Sequence, residues 1–541
     1  MTAACFVGVA LRTWPLWQSP LPFNPDGIMY ARSVRETLES GSFPLAEMAT
    51  DELAFTALLA TVSQVTGVDA LYHSQGVAAV VGSVPVILVA AIARRIAGGV
   101  GLDGQATRYA VVLGAWTLAV EGLYLHRSMP VDEQTVGLFL VPLGVLAVVY
   151  AVGRDRRWWA VALPVLAALP SVHNLDAFVT ALALTLLALV ALESDRLAAP
   201  RIHLAVALAY WTWVVGYTIG IDALTAATVI QQARLTAVPD LVLAWLILTA
   251  LGVAWFLGRS ARTKRVLLST VLFGWFVVLA ANALTPIFPG LPATHPLILY
   301  GIAPLVVLVA LFALALPDAL TTNDGLAVFA VLAGVVVLVG VSLTASLTAE
   351  YLNTLYRVQT FAHLPVVAVA AVGAARLLAS RRPGWLSHFD ARTAAAALTA
   401  IVLLGSVASI PIAYSGLDVL TYKGVTEPAE LQSSGFAVEY TTGNWTSDDH
   451  LTRIQRYYDQ GSQGRVQPTY EYLTGSEPPQ CPILTQSSWT TVGGQLYPRS
   501  AATIPPPRYE RLLTKTNVVY DTGTTDRIAL MVPATRSENG C

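Results

Sequence analysis

The chain has 541 residues, of which 55% are hydrophobic and only 12% are charged. A soluble domain carries about 25% charged residues, so the composition excludes an ordinary soluble protein and indicates a chain embedded in a membrane. The formal net charge of -2 gives no sign of a nucleic-acid partner.

Apolar segments recur along residues 1–413, and many approach ~20 residues, the length that crosses the hydrocarbon layer of a bilayer. Backbone polar groups in lipid must pair within their own segment, so these segments are predicted to be helices. The fold class is therefore an α-helical polytopic membrane protein. About thirteen spans are predicted, at 2–17, 76–93, 107–125, 134–152, 158–170, 177–192, 204–221, 241–258, 266–284, 296–316, 326–345, 361–376 and 393–413.

Arginines predict the orientation, because the cytoplasmic loops of membrane proteins are enriched in Arg and Lys. Alternate loops carry arginine clusters and are predicted to face the cytoplasm, at residues 94–95, 154–157, 196–201, 259–265 and 376–392. The other loops, including a long first loop at about 18–75, are predicted to face outside. The protein is thus expected to be integral to the cell membrane, with its C-terminal part outside.

Residues 414–541 differ in composition from the rest, being rich in Thr, Ser, Gly, Pro and Tyr. Two strand-like runs at 518–520 and 528–532 flank Asp521-Thr522-Gly523 and predict a β-hairpin. About 125 residues suffice for a small domain. The predicted domains are therefore a membrane domain at 1–413 and a small extracytoplasmic domain containing β-strands at 414–541.

Asp26 follows the first apolar segment directly and opens the long first loop. Residues 28–38 have helical apolar spacing that stops at Gly-Ser-Phe-Pro (41–44), and a second amphipathic stretch at 54–65 ends at Gly67. Two helices lying on the outer membrane surface fit this pattern. A lone loop Asp is most often a helix cap or a solvated surface group, but this setting makes Asp26 a candidate catalytic carboxylate.

Two further clusters fall in loops on the same predicted side. Asp132 and Glu133 stand just before the fourth span, as catalytic candidates or as ordinary compensation of the helix dipole. His173 and Asp176 can share one helical face, where such a pair ligates a metal or relays protons. The alternative is that they cap the sixth span.

Arg357 is a cation at the outer interface, where a guanidinium suits a phosphate. Snorkelling of the side chain to the interface is the alternative. Upstream in the same loop, residues 346–350 read Ser-Leu-Thr-Ala-Glu and end at Glu350. In the loop before the fourth span, Arg127 precedes Ser128 and the acidic pair.

The order of these motifs resembles the GT-C superfamily. These are multispanning glycosyltransferases that use sugars linked to polyprenyl phosphates, including oligosaccharyltransferase catalytic subunits and protein or lipid mannosyl- and aminoarabinosyl-transferases. The resemblance rests on Pro-Asp-x-x-x-Tyr-x-Arg at 25–32, the following Gly-x-Phe-Pro, Arg-Ser with a downstream acidic pair at 127–133, and Glu350 with Arg357. Asp132 comes five residues after Arg127, a spacing closer to the mannosyl- and arabinosyl-transferase pattern. The Ala- and Val-rich composition is typical of a GC-rich genome, such as that of an archaeon.

The resemblance implies a function and a set of site residues. A sugar moves from a polyprenyl- or dolichyl-phosphate or diphosphate donor to an acceptor protein or glycan at the outer face. Mg²⁺ or Mn²⁺ is the implied cofactor, although the mannosyltransferase-like branches need none. The implied roles are catalysis by Asp26, Asp132 and Glu133, donor-phosphate binding by Arg127 and Arg357, metal binding, where a metal is used, by Asp26, Asp132 and Glu350, and an accessory role for His173 and Asp176.

Two other classes of protein fit a polytopic chain. A transporter or flippase for a lipid-linked sugar should place ionisable groups at mid-membrane, whereas the predicted spans are almost free of charge. A non-catalytic membrane anchor for an envelope domain predicts no clustering of Asp26, Asp132 and Glu350. The Trp-Trp-Asp signature of oligosaccharyltransferases is missing from the tail, where residues 444–450 read Asn-Trp-Thr-Ser-Asp-Asp-His, so sequon-directed glycosylation is in doubt.

Overall fold

In the computed structural model, a bundle of long helices precedes a C-terminal part that contains a β-sheet. The structure describes the chain except for residues 50, 194–196, 223–234, 236, 288–292, 295, 346–348, 380–390, 415–423, 442–443, 459–463, 497–498 and 534–541. The described helices up to residue 413 are α1 (Thr2–Arg12), α2 (Asp26–Ser40), α3 (Leu53–Thr66), α4 (Ala70–Ser83), α5 (Pro85–Gly99), α6 (Gly104–Val120), α7 (Gly122–Ser128), α8 (Gln134–Gly153), α9 (Trp159–Val172), α10 (Asn174–Glu193), α11 (Pro200–Asp222), α12 (Pro239–Leu257), α13 (Ala261–Leu284), α14 (Pro296–Ile302), α15 (Val306–Ala319), α16 (Asn323–Ala345), α17 (Ala349–Ala379), α18 (Ala391–Ala408) and α19 (Ile410–Ala413).

In the described part of the chain, 10 helices are long and apolar enough to cross a membrane. They are Ala70–Gly99, Gln134–Gly153, Asn174–Glu193, Pro200–Ile221, Pro239–Leu257, Ala261–Leu284, Ile298–Ala319, Asn323–Ala345, Asn353–Ala379 and Arg392–Ala413. The other three predicted spans fall on α1, α6 and α9, which have 11, 17 and 14 residues. The count of thirteen spans is therefore not confirmed, although a polytopic helical fold is.

One of these shorter helices ends for a visible reason. Glu121 interrupts the predicted third span, because its carboxylate accepts hydrogen bonds from the backbone N–H groups of Leu123 and Tyr124, each at 3.0 Å. This N-cap starts α7 as a separate helix. The break turns the chain toward the loop that holds Asp132 and Glu133.

Several arginine-rich loops meet at one end of the bundle. Asp324 pairs with Arg95 and Arg154 at 3.3 and 3.2 Å, and Asp318 pairs with Arg265 and Arg376 at 3.0 and 2.9 Å. Helix α8 runs from Glu133 to this end and spans about 30 Å at 1.5 Å per residue. The loops with the candidate site residues therefore lie at the opposite end, as the alternation of loops predicts.

The long first loop, predicted to face outside, folds as its sequence predicts. Helix α2 ends at Gly41 and α3 at Gly67, each in the left-handed conformation (φ 69° and 70°) that glycine adopts at low cost. The two helices pack together, with the rings of Tyr30 and Phe55 edge to face at 4.9 Å between centroids. Their predicted position on the membrane surface stays a prediction.

The C-terminal part is built around a five-stranded sheet in the order β2-β1-β3-β7-β6. Strand β1 is parallel to β2 and β3, whereas β7 is antiparallel to β3 and β6. The pair β6 and β7 confirms the predicted hairpin. The elements are α20 (Pro428–Tyr440), β1 (Trp445–Thr446), α21 (Asp449–Tyr458), β2 (Gly464–Arg465), α22 (Gln467–Leu473), β3 (Ile483–Gln486), β4 (Gly494–Leu496), β5 (Arg499–Ala502), α23 (Pro506–Lys515), β6 (Thr516–Asp521) and β7 (Ile528–Pro533).

The C-terminal part shares a hydrophobic core with the first outer loop. Ile28 and Tyr30 of α2 and Phe55 of α3 belong to the same buried cluster as Trp445 and Ile454. Burial of large apolar side chains contributes about 1.5–3 kcal/mol each. This common core fixes α21 against α2, at the end of the bundle that holds the candidate site.

Cysteine labelling tests the orientation. We expect Ser42→Cys in the first outer loop and Ser476→Cys in the C-terminal part, both at exposed positions, to react with a membrane-impermeant maleimide in intact cells. Ser260→Cys, exposed in the arginine-rich loop before α13, should react only after permeabilisation. Labelling of Ser260→Cys in intact cells would reverse the orientation.

Candidate active site

Polar side chains from five segments meet at one end of the bundle. Asp51, Glu133 and His173 approach one another closely, and Asp132 and His173 both contact Arg357. The segments are the start of α2, the turn before α3, the loop before α8, the junction of α9 and α10, and the first turns of α17. Helix α10 lies in the centre of the bundle, since 78% of its apolar stretch is buried inside the protein. The side chains at its N-terminus are therefore enclosed.

Asp26 is the first residue of α2 and is held by Asn24. The Asn24 Nδ2 group donates to Asp26 Oδ2 at 2.9 Å, and the Asp26 backbone N–H donates to Asn24 Oδ1 at 3.3 Å. Asn24 has φ 103°, a left-handed conformation that Asn tolerates better than most residues. Burial and the nearby Asp132 raise the pKa of Asp26, against the opposing effects of Asn24 and two arginines.

Glu133 lies between Tyr30 and His173. The Tyr30 hydroxyl donates to Glu133 Oε2, and Glu133 Oε1 lies 3.6 Å from His173 Nε2. Burial, followed by repulsion from Asp132 and Asp51, raises the pKa of Glu133 well above its ordinary value. Of the acidic pair, Glu133 is thus the member that binds a proton more readily.

Asp132 is the ionised member of the pair. Its Oδ2 lies 3.7 Å from Arg357 Nη2, and its Oδ1 accepts from the Gln134 backbone N–H at 2.9 Å. Burial would raise the pKa of Asp132, but Arg357 and His173 lower it below its ordinary value. Opposite shifts in adjacent carboxyl groups are typical of acid–base sites.

His173 and Asp176 form a buried pair. His173 Nδ1 lies 2.9 Å from Asp176 Oδ1, and both side chains are almost fully buried. The Asn174 backbone N–H at the start of α10 donates to Asp51 Oδ2 at 3.1 Å. The capping group observed here is thus Asp51, whereas His173 and Asp176 contact each other.

Asp51, Glu133 and His173 form a group that can hold a metal ion, with one ligand atom from each lying within 4.8 Å of the others. The contact between Asp176 and Nδ1 orients the imidazole and leaves Nε2 toward the group, as is usual for a metal-binding histidine. Two carboxylates and an imidazole suit a divalent cation. The ligand set therefore fits a metal.

This group differs from the metal ligands expected from the sequence, namely Asp26, Asp132 and Glu350. The Glu350 side chain and residues 346–348 lie outside the described part of the chain. Asp51 and His173 come together because the loop before α3 folds onto the start of α10, and the ligands expected from the sequence stay a prediction. Asp51 was not among the residues singled out from the sequence; the signal for it was the acidic pair Asp51-Glu52 in the same loop as Asp26. Burial beside Asp51 raises the pKa of Glu52 to about 8.

The two arginines have different settings. Arg357 is partly buried between Asp132 and His173, with Nη1 3.4 Å from His173 Nε2. Its Nε has no hydrogen-bond partner in the described part of the protein. Arg127 is half-buried on α7 and acts electrostatically on Tyr356, the residue before Arg357.

In the tail motif at 444–450, Asp448 has a structural role. Asp448 is buried, and its Oδ1 accepts from the Leu451 backbone N–H at 3.1 Å, which caps α21. Its Oδ2 accepts from Trp489 Nε1 at 3.2 Å and from the Gln495 backbone N–H at 3.1 Å. These bonds hold the C-terminal part together.

No protein-family model matches the chain, and a search of curated proteins found no match. Among solved structures, the oligosaccharyltransferase of Archaeoglobus fulgidus in complex with Zn and sulfate is 12% identical, with a TM-score of 0.50 over 98% of this chain and 72% of that one. The same enzyme tethered with an acceptor peptide containing the NVT sequon gives 11% identity and a TM-score of 0.51 over 98% and 73%.

ArnT from Cupriavidus metallidurans, bound to undecaprenyl phosphate, is 14% identical over 98% of this chain and 97% of that one, with a TM-score of 0.43. The likeness to the archaeal oligosaccharyltransferase shows the fold alone. The predicted polytopic helical fold, shared with that oligosaccharyltransferase, is thereby confirmed.

Proposed function

We propose that this protein is a membrane glycosyltransferase that moves a sugar from a polyprenyl- or dolichyl-phosphate or diphosphate donor to an acceptor protein or glycan outside the cell. The supporting observation is the convergence of Asp132, Glu133, His173 and Arg357 with the neighbouring Asp26. A mere membrane anchor needs no such buried cluster. This cluster lies at an end of the helices, which also argues against a flippase with a mid-membrane site.

In this reaction an acceptor O–H or N–H attacks the anomeric carbon, and the bond from that carbon to the donor phosphate oxygen breaks. Asp26 accepts the proton of the nucleophile, because its carboxylate is held by Asn24 and burial raises its pKa above that of an exposed Asp. Arg357, assisted by Arg127, stabilises the negative charge on the leaving phosphate. Asp132 holds the Arg357 guanidinium in place.

Asp51, Glu133 and His173 would hold a divalent cation, with Asp176 fixing the imidazole. A cation there supplies positive charge for the phosphate. The solved archaeal oligosaccharyltransferase that shares the fold was crystallised with Zn and sulfate. We propose that the cation bound by this chain is Mg²⁺, Mn²⁺ or Zn²⁺.

The test is a transfer assay in proteoliposomes. The purified chain is combined with lipid-linked sugars extracted from the source membranes and with an extract of envelope proteins and glycans. We expect loss of the sugar from the lipid pool and its appearance on an acceptor, both dependent on the protein. Movement of intact lipid-linked sugar between leaflets without its consumption would establish the flippase instead.

The metal group leads to a separate prediction. His173→Gln removes the imidazole ligand, and we expect the affinity for Mn²⁺, measured by isothermal titration on the purified protein, to fall by more than the about 10–100-fold that loss of an outer-shell partner costs. His73→Gln is the matched control, because His73 bonds Ser63 in the first loop and lies outside the group. Equal Mn²⁺ affinity in both variants and the parent would remove His173 from the metal site.

A further inference from the structure

A cavity of about 580 Å³ lies where the long first loop meets the C-terminal part. Its walls come from α2, the segment after α2, α20 and α21, and they share no residue with the candidate active site. The volume falls within the roughly 300–1,000 Å³ of pockets that bind small molecules. The cavity is therefore large enough for a small ligand or for part of a larger one.

The lining of this cavity includes an arginine between two glutamates. Arg32 Nε lies 3.3 Å from Glu36 Oε1, and Arg32 Nη2 lies 3.8 Å from Glu47 Oε2. Arg32 Nη1 also donates to the backbone carbonyl oxygen of Arg456 on α21 at 3.5 Å. The guanidinium is thus engaged by groups of the protein itself, so it offers little to a further anion.

A second arginine lines the cavity beside α21. Arg35 Nη2 donates to the backbone carbonyl oxygen of Tyr458 at 3.4 Å, and the guanidinium lies 4.7 Å from the centroid of the Tyr458 ring. With Glu439 of α20, the lining holds two arginines and three glutamates. An anion would meet the carboxylates here and a cation would meet the guanidinium groups. The lining therefore suits an uncharged ligand that carries both donors and acceptors.

Gln455 adds a buried acceptor to the wall of the cavity. Its side chain is 2% exposed, and its Oε1 has no hydrogen-bond partner among the described residues. A buried acceptor without a partner is unfavourable, so a ligand that supplies a donor at this wall is favoured. The hydroxyl groups of a sugar both donate and accept, which matches the amide, the carboxylates and the guanidinium groups together.

We propose that this cavity binds an uncharged sugar residue of a glycan on which the enzyme acts. The proposal rests on the glycosyl transfer proposed above and adds a second sugar site to it. Arg32 and Arg35 follow Asp26 on α2 by six and nine residues, which places them about 9 and 14 Å further along the helix axis. A glycan whose reacting sugar lies at Asp26 would thus place a later sugar in the cavity. Either the lipid-linked donor or the acceptor can carry this glycan.

The test measures sugar binding directly and needs no transfer. One set of free glycans is released by mild acid from the lipid-linked pool, and a second set is released from envelope proteins. Each set is titrated calorimetrically into the purified full-length protein, and we expect at least one to bind. Binding of the first set identifies the donor as the source of the sugar, and binding of the second set identifies the acceptor.

Gly435→Leu places a side chain in the cavity. A Cβ at Gly435 would meet no atom within 4 Å, and the residue lies within α20, where Leu is a better helix former than Gly. We expect the glycan affinity to fall roughly tenfold or more with an unchanged yield of folded protein. Gly252→Leu on α12 is the control, because a Cβ there also meets no atom within 4 Å. It should bind glycans like the parent.

Gln455→Met tests the buried acceptor. Met is similar in length but lacks the amide oxygen, so we expect the glycan affinity to fall about two- to tenfold. The melting temperature should equal or exceed that of the parent, because a buried polar group without a partner has been removed.

Failure of both glycan sets to bind the parent, or equal affinity in Gly435→Leu and the parent, would overturn the sugar site while leaving glycosyl transfer standing. A parent protein that binds glycans, loses them in Gly435→Leu and yet transfers no sugar would overturn the proposed function and leave the sugar site standing.

Discussion

Asp26→Asn should leave the protein folded and inserted but nearly inactive in sugar transfer. Asn keeps the size of the side chain and can still bond Asn24, but it cannot accept the proton of the nucleophile. General-base catalysis contributes roughly 10²–10⁴-fold, and we expect kcat to fall by that factor. The measurement is the initial rate of product formation in membrane vesicles supplied with the lipid-linked sugar pool.

The control for Asp26→Asn must remove a carboxylate from the same helix without touching its contacts. Glu36 is unsuitable because it pairs with Arg32 at 3.3 Å, and Arg32 holds α21. Glu39 is exposed near the end of α2, so Glu39→Gln should stay fully active. Full activity of Asp26→Asn, or an equal loss in both variants, would exclude Asp26 as the base.

Local patterns in the sequence predict the helices and the order of the motifs. The apolar spacing after Asp26 and the glycines that end α2 and α3 are signals within one segment, and the structure confirms those helices. The alternation of arginine-rich loops likewise predicts which loops share an end of the bundle. Such signals need no knowledge of contacts between distant residues.

Contacts across the chain are what the sequence does not reveal. Asp51 bonds the backbone of Asn174, 123 residues away, so its place in the metal group follows from tertiary packing. The sharing of one core by the first loop and the C-terminal part is hidden in the same way. The composition of the chain changes at residue 414, which predicts a domain boundary there. The buried contacts nevertheless join residues from both sides of this boundary.

Negative charge dominates the site. The buried His173 is surrounded by four carboxyl groups, those of Asp51, Asp132, Glu133 and Asp176. Arg357 is the permanently charged cation beside them. The cluster can relieve this imbalance by binding protons, as the raised pKa of Glu133 indicates, or by binding a cation. In the proposed reaction, Arg357 therefore both balances the charge of these carboxylates and contacts the donor phosphate.

Arg357→Lys is expected to reduce transfer strongly while keeping the charge. In Arg357, Nη2 lies near Asp132, Nη1 lies near His173, and Nε is left without a partner in the described part of the protein. Lysine lacks this planar fork, because its donors all sit on one nitrogen and cannot reach three separate positions. Loss of a donor to a developing oxyanion costs about 10²–10³-fold in kcat. We expect a loss of that size, measured as initial rates at saturating lipid-linked donor.

Arg154→Lys is the matched control, because Arg154 pairs with Asp324 at 3.2 Å at the opposite end of the bundle. It should transfer sugar at the parental rate. The retained charge in Arg357→Lys avoids leaving Asp132 buried beside an uncharged residue, a change that would destabilise the fold. A normal yield of protein with lost transfer would therefore place Arg357 at the phosphate. Unchanged turnover would show that Arg357 only balances the charge of the neighbouring carboxylates.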